Sequence, residues 1–301
     1  MDWNDLRYLL AVHRGGSLAG AAKALGVTKA TASRRLAALE EALGTELVAR
    51  TPDGLSLTEA GRTALASAEE MARVATALEG RLGSAKDGSV RGTVRLTAPG
   101  WLAERLLLSE LPALRAEHPA LEVQLLGTNA VLDLTRLEAD LALRNVKPTH
   151  LSLVARKVGI LAGRVYASKL YVERRGKPMS RDELVTHDLL AYEGLGGMPG
   201  FEWLRDPPFI DRVVFRANDP VGLRSAAAAG LGLAGIPCIL GDEDPSLVRI
   251  DALGVGETEM FLVMPEQLKA SVPVRIVADF VASVMKSQAR RLLGELDGDR
   301  R

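Results

Sequence analysis

Between Thr28 and Leu39 the chain carries Lys29, Arg34 and Arg35, the hydroxyls of Thr28, Thr31 and Ser33, and no acid. That set suits a polyanion. Cations draw phosphates, hydroxyls donate to phosphate oxygens, and a lysine or arginine in a groove can donate to guanine O6 and N7. Ala30 and Ala38 are small enough to let a nucleic acid approach closely. A second set lies farther along. Arg144, beside Asn145, can clamp a carboxylate bidentately. Thr97, Gly100, Trp101, Gly127, Asn129, Asn218 and Pro237 fall at or beside the ends of segments that read as strands, where open α/β folds hold ligands. Thr97 to Trp101 opens a helix, whose exposed N–H groups favour anions. Plainer uses stand beside these: Thr97 and Asn218 as helix caps, Trp101 as core, Arg144 in an ion pair or in solvent.

The first set needs two helices and a wing to position it. Ser17 is suited to an N-cap, and Leu18, Ala21, Ala22 and Leu25 recur at helical spacing. Gly26 stops that helix. Thr28 caps the next, whose inward stripe is Ala32, Leu36, Leu39 and Leu43, with Gly44 at its end. Ala30, Thr31, Arg34 and Ala38 then point away from the stripe. Taken alone, this is equally an ordinary helical hairpin with a solvated basic face. Asp53-Gly54 is a type I′ turn signal with Leu55 and Leu57 alternating behind it. It predicts a small wing carrying Arg50 and Thr51, with Asp53 at its tip, toward the DNA backbone or minor groove. Helix, turn, helix and wing together are how a protein seats one helix in the major groove.

The second set needs an alternating fold. Residues 58–83 predict one helix of roughly 39 Å. Its Leu65, Ala68, Met71, Ala72, Val74, Ala75, Leu78 and Leu82 keep a 3–4 spacing, which suits either a coiled-coil seam or packing on its own domain. Residues 83–92 form a polar, glycine-rich hinge. Strands are then expected at 94–96, 121–126, 140–143, 160–168, 189–192, 213–216, 233–237 and 261–264. Helices are expected at 101–117 (broken or kinked at Pro112), 131–138, 181–186, 221–229 and 274–291. Such alternation argues for a parallel, doubly wound sheet.

Composition narrows the function classes. The 301 residues suggest about two domains, and 38 basic residues balance 38 acidic ones, so attraction to DNA must rest on local patches. Cys238 is the one cysteine, which leaves no intrachain disulfide, and it reads as a buried thiol. His13, His118, His150 and His187 have no metal-ligand spacing, and no nucleophile–base constellation is visible, so neither metal, cofactor nor catalysis is expected. No apolar h-region follows Met1 and the longest apolar run, Ala226–Leu240, is too short to span a bilayer; a cytoplasmic protein without membrane contact is expected. Gly230-Leu231-Gly232-Leu233-Ala234-Gly235 matches GxGxxG, but it follows a helix and precedes a strand. A dinucleotide site needs the reverse, so Gly230 and Gly232 read as helix-stop and turn. Ser283-Val284-Met285-Lys286 matches SxxK inside a helix with no supporting motif.

Residues 1–61 resemble the winged helix-turn-helix of LysR-type transcriptional regulators. The resemblance lies in Leu6–Leu10, Gly16-Ser17-Leu18, Ala21-Ala22, Leu25-Gly26-Val27-Thr28, Ser33-Arg34-Arg35-Leu36, Leu39-Glu40, Leu43-Gly44, Leu47, Arg50 and Leu57-Thr58-Glu59-Ala60-Gly61. Lys29-Ala30 stands where the family often has Gln-Pro. Lysine favours guanine where glutamine favours adenine, so the family's base preference is not carried over. The remainder resembles the family's effector domain in AEHPALEVQL, DLTRLEADLALR, VYASKLYVERRGKP and NDPVGLRSAAAAGLGLAGIP.

The resemblance implies an α+β multidomain chain: a winged helix-turn-helix over 1–60, a linker or dimerisation helix and hinge over 61–90, and a two-lobed α/β effector domain of type 2 periplasmic-binding-protein fold over 91–301. Lobe 1 would take 91–162 and 265–291, and lobe 2 163–264, with crossings near Gly163 and Phe261 and the last helix returning to lobe 1. Thr97 matches a family position where Ser or Thr often contacts the effector. The implied function is a homodimer or homotetramer that binds double-stranded DNA at an interrupted palindrome and contacts RNA polymerase. A small effector between the lobes, a carboxylate if Arg144 is its clamp, would modulate it. The alternatives are a regulator that needs no effector, and an enzyme or solute-binding module with a DNA-binding arm.

Overall fold

Side-chain caps and left-handed glycines divide the first 44 residues into three helices. The computed structural model describes residues 1–51, 54–82, 89–136, 138–193, 200–254 and 256–295, in two compact units, Met1–Gly83 and Ser84–Arg301. In the first unit, α1 (Leu6–Gly15) ends at Gly16, and α2 (Leu18–Leu25) begins where Ser17 accepts from the Gly20 N–H. Gly26, at φ 65°, ends α2. Thr28 accepts from the Thr31 N–H and starts α3 (Lys29–Leu43). Ala32, Leu36 and Leu39 are buried as the stripe requires, but Leu43 is 42% exposed. The inward face ends one turn early because the chain turns away at Gly44 into β1 (Val48–Thr51).

β1 pairs antiparallel with β2 (Gly54–Leu57), Thr51 opposite Gly54. Gly54 is thus a strand residue, and Asp53 lies outside the described residues. α4 (Glu59–Leu82) follows, with Thr58 accepting from the Gly61 N–H. Thr58 also donates to the Glu46 carbonyl, and a Cβ at Gly61 would stand 1.9 Å from the Leu47 carbonyl oxygen, so α4 crosses the wing backbone where only glycine fits. Leu65 and Ala68 are buried, and Met71 and Ala72 pack on the same core as Leu9, Leu39 and Leu47. The first half of the apolar seam thus serves its own domain. Val74 is 52% exposed, and the side chains of Leu78 and Leu82 lie outside the described set.

The second unit is built on one nine-stranded sheet. Its strands are β3 (Gly92–Ala98), β4 (Leu121–Gly127), β5 (Leu141–Arg144), β6 (Leu153–Ser168), β7 (Leu189–Tyr192), β8 (Val213–Ala217), β9 (Leu233–Pro237), β10 (Leu247–Arg249) and β11 (Gly256–Pro265). The order is β4-β3-β5-β11-β6-β9-β7-β8, with β10 beside β6. β3, β4 and β5 run parallel, as do β7, β8 and β9, while β6 and β11 are antiparallel to each other along their whole pairing. Gly163 faces Gly256 of β11 and Pro237 of β9. Lobe 1 lies before that point on β6 and lobe 2 beyond it. The chain therefore returns to lobe 1 at Gly256, ahead of the expected Phe261.

Other boundaries move for identifiable reasons. The expected helix at 101–117 is two, α5 (Gly100–Leu106) and α6 (Leu111–Glu117), with Pro112 in the first turn of the second. Residues 131–138 form no α-helix. Asp133 accepts from the Thr135 N–H and hydroxyl, and Glu138 accepts from the Asp133 N–H, so side chains take the bonds that a helix would use, leaving one 3₁₀ turn at Leu134–Arg136. Residues 181–186 are likewise a 3₁₀ turn, Asp182–Thr186. β6 starts seven residues before the expected 160, through the polar Arg156-Lys157. An unexpected helix, α7 (Lys169–Arg175), starts from the Ser168 cap. α8 (Pro220–Ala228) and the short α9 (Cys238–Gly241) flank β9, with Gly230 at φ 82° ending the turn after α8 as read from the sequence. The last helix is also two pieces. α10 (Val272–Ser287) packs on β3 and β6, and α11 (Ala289–Leu293) packs on α9 in lobe 2, with Arg249 donating to the Gly294 carbonyl.

Each lobe has its own core, Leu96, Leu141, Leu143 and Val277 in the first and Tyr171, Leu184, Leu223 and Ile236 in the second. His187 is buried in lobe 2 with its Nδ1 3.3 Å from the Tyr171 hydroxyl, which itself accepts from the Asp188 N–H. Burial, and then the nearby Arg175 cation, hold its pKa below the ordinary histidine value, while Asp188 and Glu183 oppose the shift. The unfolded chain takes up this proton near pH 6.5 and the folded chain resists it. Stability from this source is full above pH ~6.5 and is lost as pH falls toward the lower folded pKa. Urea unfolding between neutral and mildly acid pH should show that loss, and His187→Gln should reduce it. Equal pH slopes in both proteins would remove His187 as its origin.

Candidate functional site

The exposed side of α3 presents Lys29, Ala30, Ser33, Arg34 and Ala38, with Thr31 half-buried beside them and Thr28 exposed at the cap. Lys29 and Arg34 form no ion pair among the described residues. Arg35 differs. Its guanidinium lies 3.2 Å from Asp5, whose side chain is 5% exposed, and 3.3 Å from Asp2. It ties α3 to the turn that precedes α1, so much of its charge is answered inside the domain. The side chains of Arg50 and Thr51 lie outside the described set. Their strand is placed by Glu40, whose Oε1 accepts from the Leu47 N–H at 2.8 Å and the Val48 N–H at 3.2 Å. One carboxylate on α3 thus fixes the chain where it enters the wing. No motif reading of Glu40 predicted that role; the signal available was an acid one turn before a helix-ending glycine and a short strand.

In the second unit, Trp101, Asn129, Arg144 and Pro237 meet around a cavity of about 100 Å³ between the lobes. Leu161, Tyr192, Pro220, Glu257 and Met260 also line it. Sequence reasoning missed these, although Tyr192, at the end of β7, occupies a strand-end position of the kind it used. Gly100 and Gly127 do not line the cavity. A Cβ at Gly127 would stand 3.3 Å from Gly100 Cα, so the pair lets the loops after β3 and β4 touch. Asn218 contributes its carbonyl, which accepts from Asn129 Nδ2 at 3.3 Å across the cleft; the cap of α8 is Asp219 instead. On another side, Glu243 of lobe 2 pairs with Arg105 of α5 at 2.8 Å and with Arg291 of α11.

Thr97 stands behind Arg144. It is 1% exposed, its hydroxyl donates to the Leu126 carbonyl at 3.1 Å, and it accepts from Arg144 Nη2 at 2.7 Å. It is therefore neither a helix cap nor part of the cleft lining; it holds the arginine. Arg144 further donates to the Ala130 carbonyl at 3.1 Å and the Leu143 carbonyl at 3.2 Å. All these partners are neutral. No carboxylate pairs with Arg144 among the described residues, and burial pulls its pKa below the usual arginine value. Arginine stays charged even so, which leaves a partly desolvated cation at a cleft wall. Among the described residues no group of His, Cys, Asp and Glu could hold a metal, and no helix is long and apolar enough to cross a membrane. Cys238 is fully buried and its thiol pKa is raised by that burial.

Residues 3–62 match the model for the bacterial regulatory helix-turn-helix protein of the lysR family, and residues 87–286 match the LysR substrate binding domain. The chain belongs to the LysR family of transcriptional regulators. This LysR-type protein is 36% identical over 241 residues to an HTH-type transcriptional regulator of Xanthomonas campestris, a match covering 77% of this chain and 69% of that one. It resembles the full-length Vibrio cholerae virulence activator AphB at 26% identity and a TM-score of 0.54, over 94% of this chain and 99% of that one. Full-length CbnR, solved in complex with its target DNA, shares the fold at 22% identity and a TM-score of 0.62, over 95% and 100% of the two chains. The LysR-type chain is accordingly a DNA-binding transcriptional regulator, not an enzyme.

Replacing Glu40 by Ala strips two wing amides of their acceptor, at about 1–3 kcal/mol for each amide left without a partner. Hydrogen exchange at Leu47 and Val48 should accelerate strongly while exchange in α1 changes little. Unchanged protection at both amides would disprove the anchoring.

Proposed function

We propose that this LysR-type regulator responds to a small anionic effector held between the two lobes. One observation carries the reading: Arg144, partly buried at the cleft, has only neutral acceptors around it. A buried cation that lacks a counter-charge is unfavourable, and an incoming carboxylate would relieve it through a charge-assisted contact. Trp101, Asn129 and Pro237 would complete the contact surface. Cross-lobe contacts such as Asn129 with Asn218 give the two lobe arrangements different energies, as an effector-driven equilibrium requires.

On DNA, Lys29, Ala30, Thr31, Ser33 and Arg34 enter the major groove from α3, with Thr28 at its cap. Arg50, Thr51 and Asp53 approach the flanking backbone through the wing. Arg35 joins them chiefly as the brace of α3. Two such readers on one dimer, or four in a tetramer, would occupy an interrupted palindrome, and effector binding would alter DNA bending and RNA polymerase contact in the cytoplasm.

The test begins with genomic fragments selected by the purified protein. Arg34→Ala should weaken binding to them and lower the slope of log affinity against log salt by about one per protomer. Unchanged affinity at physiological salt, with the fold intact, would refute the groove assignment. On the same fragments, footprints recorded with and without metabolite extract should differ for the wild type and coincide for Arg144→Gln. Identical footprints in every condition would favour a regulator that needs no effector.

A further inference from the structure

Arg144 faces two cavities. Besides the cleft, a second cavity of about 200 Å³ lies within lobe 1, and Asn129, Arg144 and Asn145 belong to both walls. The rest of its wall is largely aliphatic, with Leu132, Leu134, Ala142, Leu153 and Val263. Thr97 also reaches it, but that hydroxyl is already engaged by Leu126 and Arg144. Two large aliphatic side chains stand at its edge in water, Val131 at 75% exposure and Val146 at 58%. No carboxylate lines this cavity among the described residues, whereas Glu257 lines the cleft. The lobe 1 side of Arg144 is therefore the side on which a negative head meets no like charge and an uncharged body meets hydrocarbon.

We infer that the effector is a monocarboxylic acid with an apolar body, its carboxylate on Arg144 and its body in the lobe 1 cavity. The inference rests on the anion reading above: the carboxylate stays at the Arg144 wall of the cleft, and the lobe 1 cavity that shares this wall takes the body, which adds the chemical class. A second charge on the ligand has no partner in that seat. A dicarboxylate would bury one carboxylate among aliphatic side chains, and an α-amino acid would bury an ammonium there. The body contributes through apolar surface removed from water, about a fourfold gain for each methylene buried.

Calorimetric titration of the full-length protein with straight-chain acids from acetate to hexanoate, and with norleucine, tests this. Affinity should climb about fourfold per methylene until the cavity is full, and hexanoate should exceed norleucine, which has the same chain plus an ammonium. Ala142→Leu, which narrows the cavity while leaving the guanidinium in place, should flatten the series. Val131→Asn, an exposed rim change that leaves the core intact, should weaken hexanoate several-fold. Arg144→Gln should weaken every acid by about tenfold or more. Affinity that ignores chain length yet vanishes in Arg144→Gln would keep the anion clamp and overturn the lobe 1 seat. So would norleucine binding more tightly than hexanoate, or an equally steep series in the wild type and both cavity variants. No saturable heat from any acid at millimolar concentration would overturn the seat and the clamp together.

Discussion

Both lobes hang on one strand. β6 runs sixteen residues without a break, and its partner changes at Gly163 from β11 to β9. A sheet that crosses from one lobe to another must do so where backbone hydrogen bonds can be handed from one neighbour to the next, because a buried strand end leaves donors unpaired. Gly163, opposite Gly256 and Pro237, is that place. The same residues, with Leu161, Ala162 and Thr258, form the floor of the interlobe cavity. A molecule lodged there would touch the strand segment that joins the two lobes.

Arg144 sits at the end of β5, one strand from that crossing. Its guanidinium is fixed by two carbonyls and a threonine hydroxyl, each geometrically sound and each uncharged. Neutral acceptors orient a cation but return only part of its lost hydration. A guanidinium held this way keeps part of its desolvation cost. Elsewhere the chain does supply internal pairs, as where Asp242 answers Arg249 and Asp5 answers Arg35. Arg164, also part-buried, likewise has no ion pair among the described residues, and Arg144 differs from it in lining the cleft.

Much of this could be read before any coordinates. Ser17, Gly26, Thr28 and Gly44 mark helix ends through local backbone chemistry, and each sits where that chemistry places it. The apolar strands β7 and β9 were legible because their burial is a property of short runs. Long-range effects were not. Nothing within 153–160 signals that Arg156 and Lys157 lie on a strand, because those residues pair with β11, about a hundred positions later. Asp133 looks helical until its side chain is seen closing a turn on Thr135. At the site, Arg144, Trp101, Asn129 and Pro237 were recognisable as residues at strand ends. Thr97 was singled out with them, but its hydroxyl's engagement by Leu126 and Arg144 depends on residues 29 and 47 positions away and could not be read locally. Tyr192 and Met260 needed the opposing lobe and the returning strand to be placed.

The reader domain shows how such long-range pairing changes the meaning of a local charge count. Three cations on α3 suggested a strongly basic helix. With Arg35 facing Asp5 and Asp2, Lys29 and Arg34 are the α3 cations without an ion pair among the described residues. Each phosphate neutralised releases less than one counterion's worth of salt-dependent affinity, so two or three cations per protomer give weak sequence-independent binding. With a formal net charge of zero there is no bulk positive field to add to it. Occupancy of one site among the many in a genome must then come from base-edge contacts and from joining two readers on one DNA, which multiplies affinity without further charge.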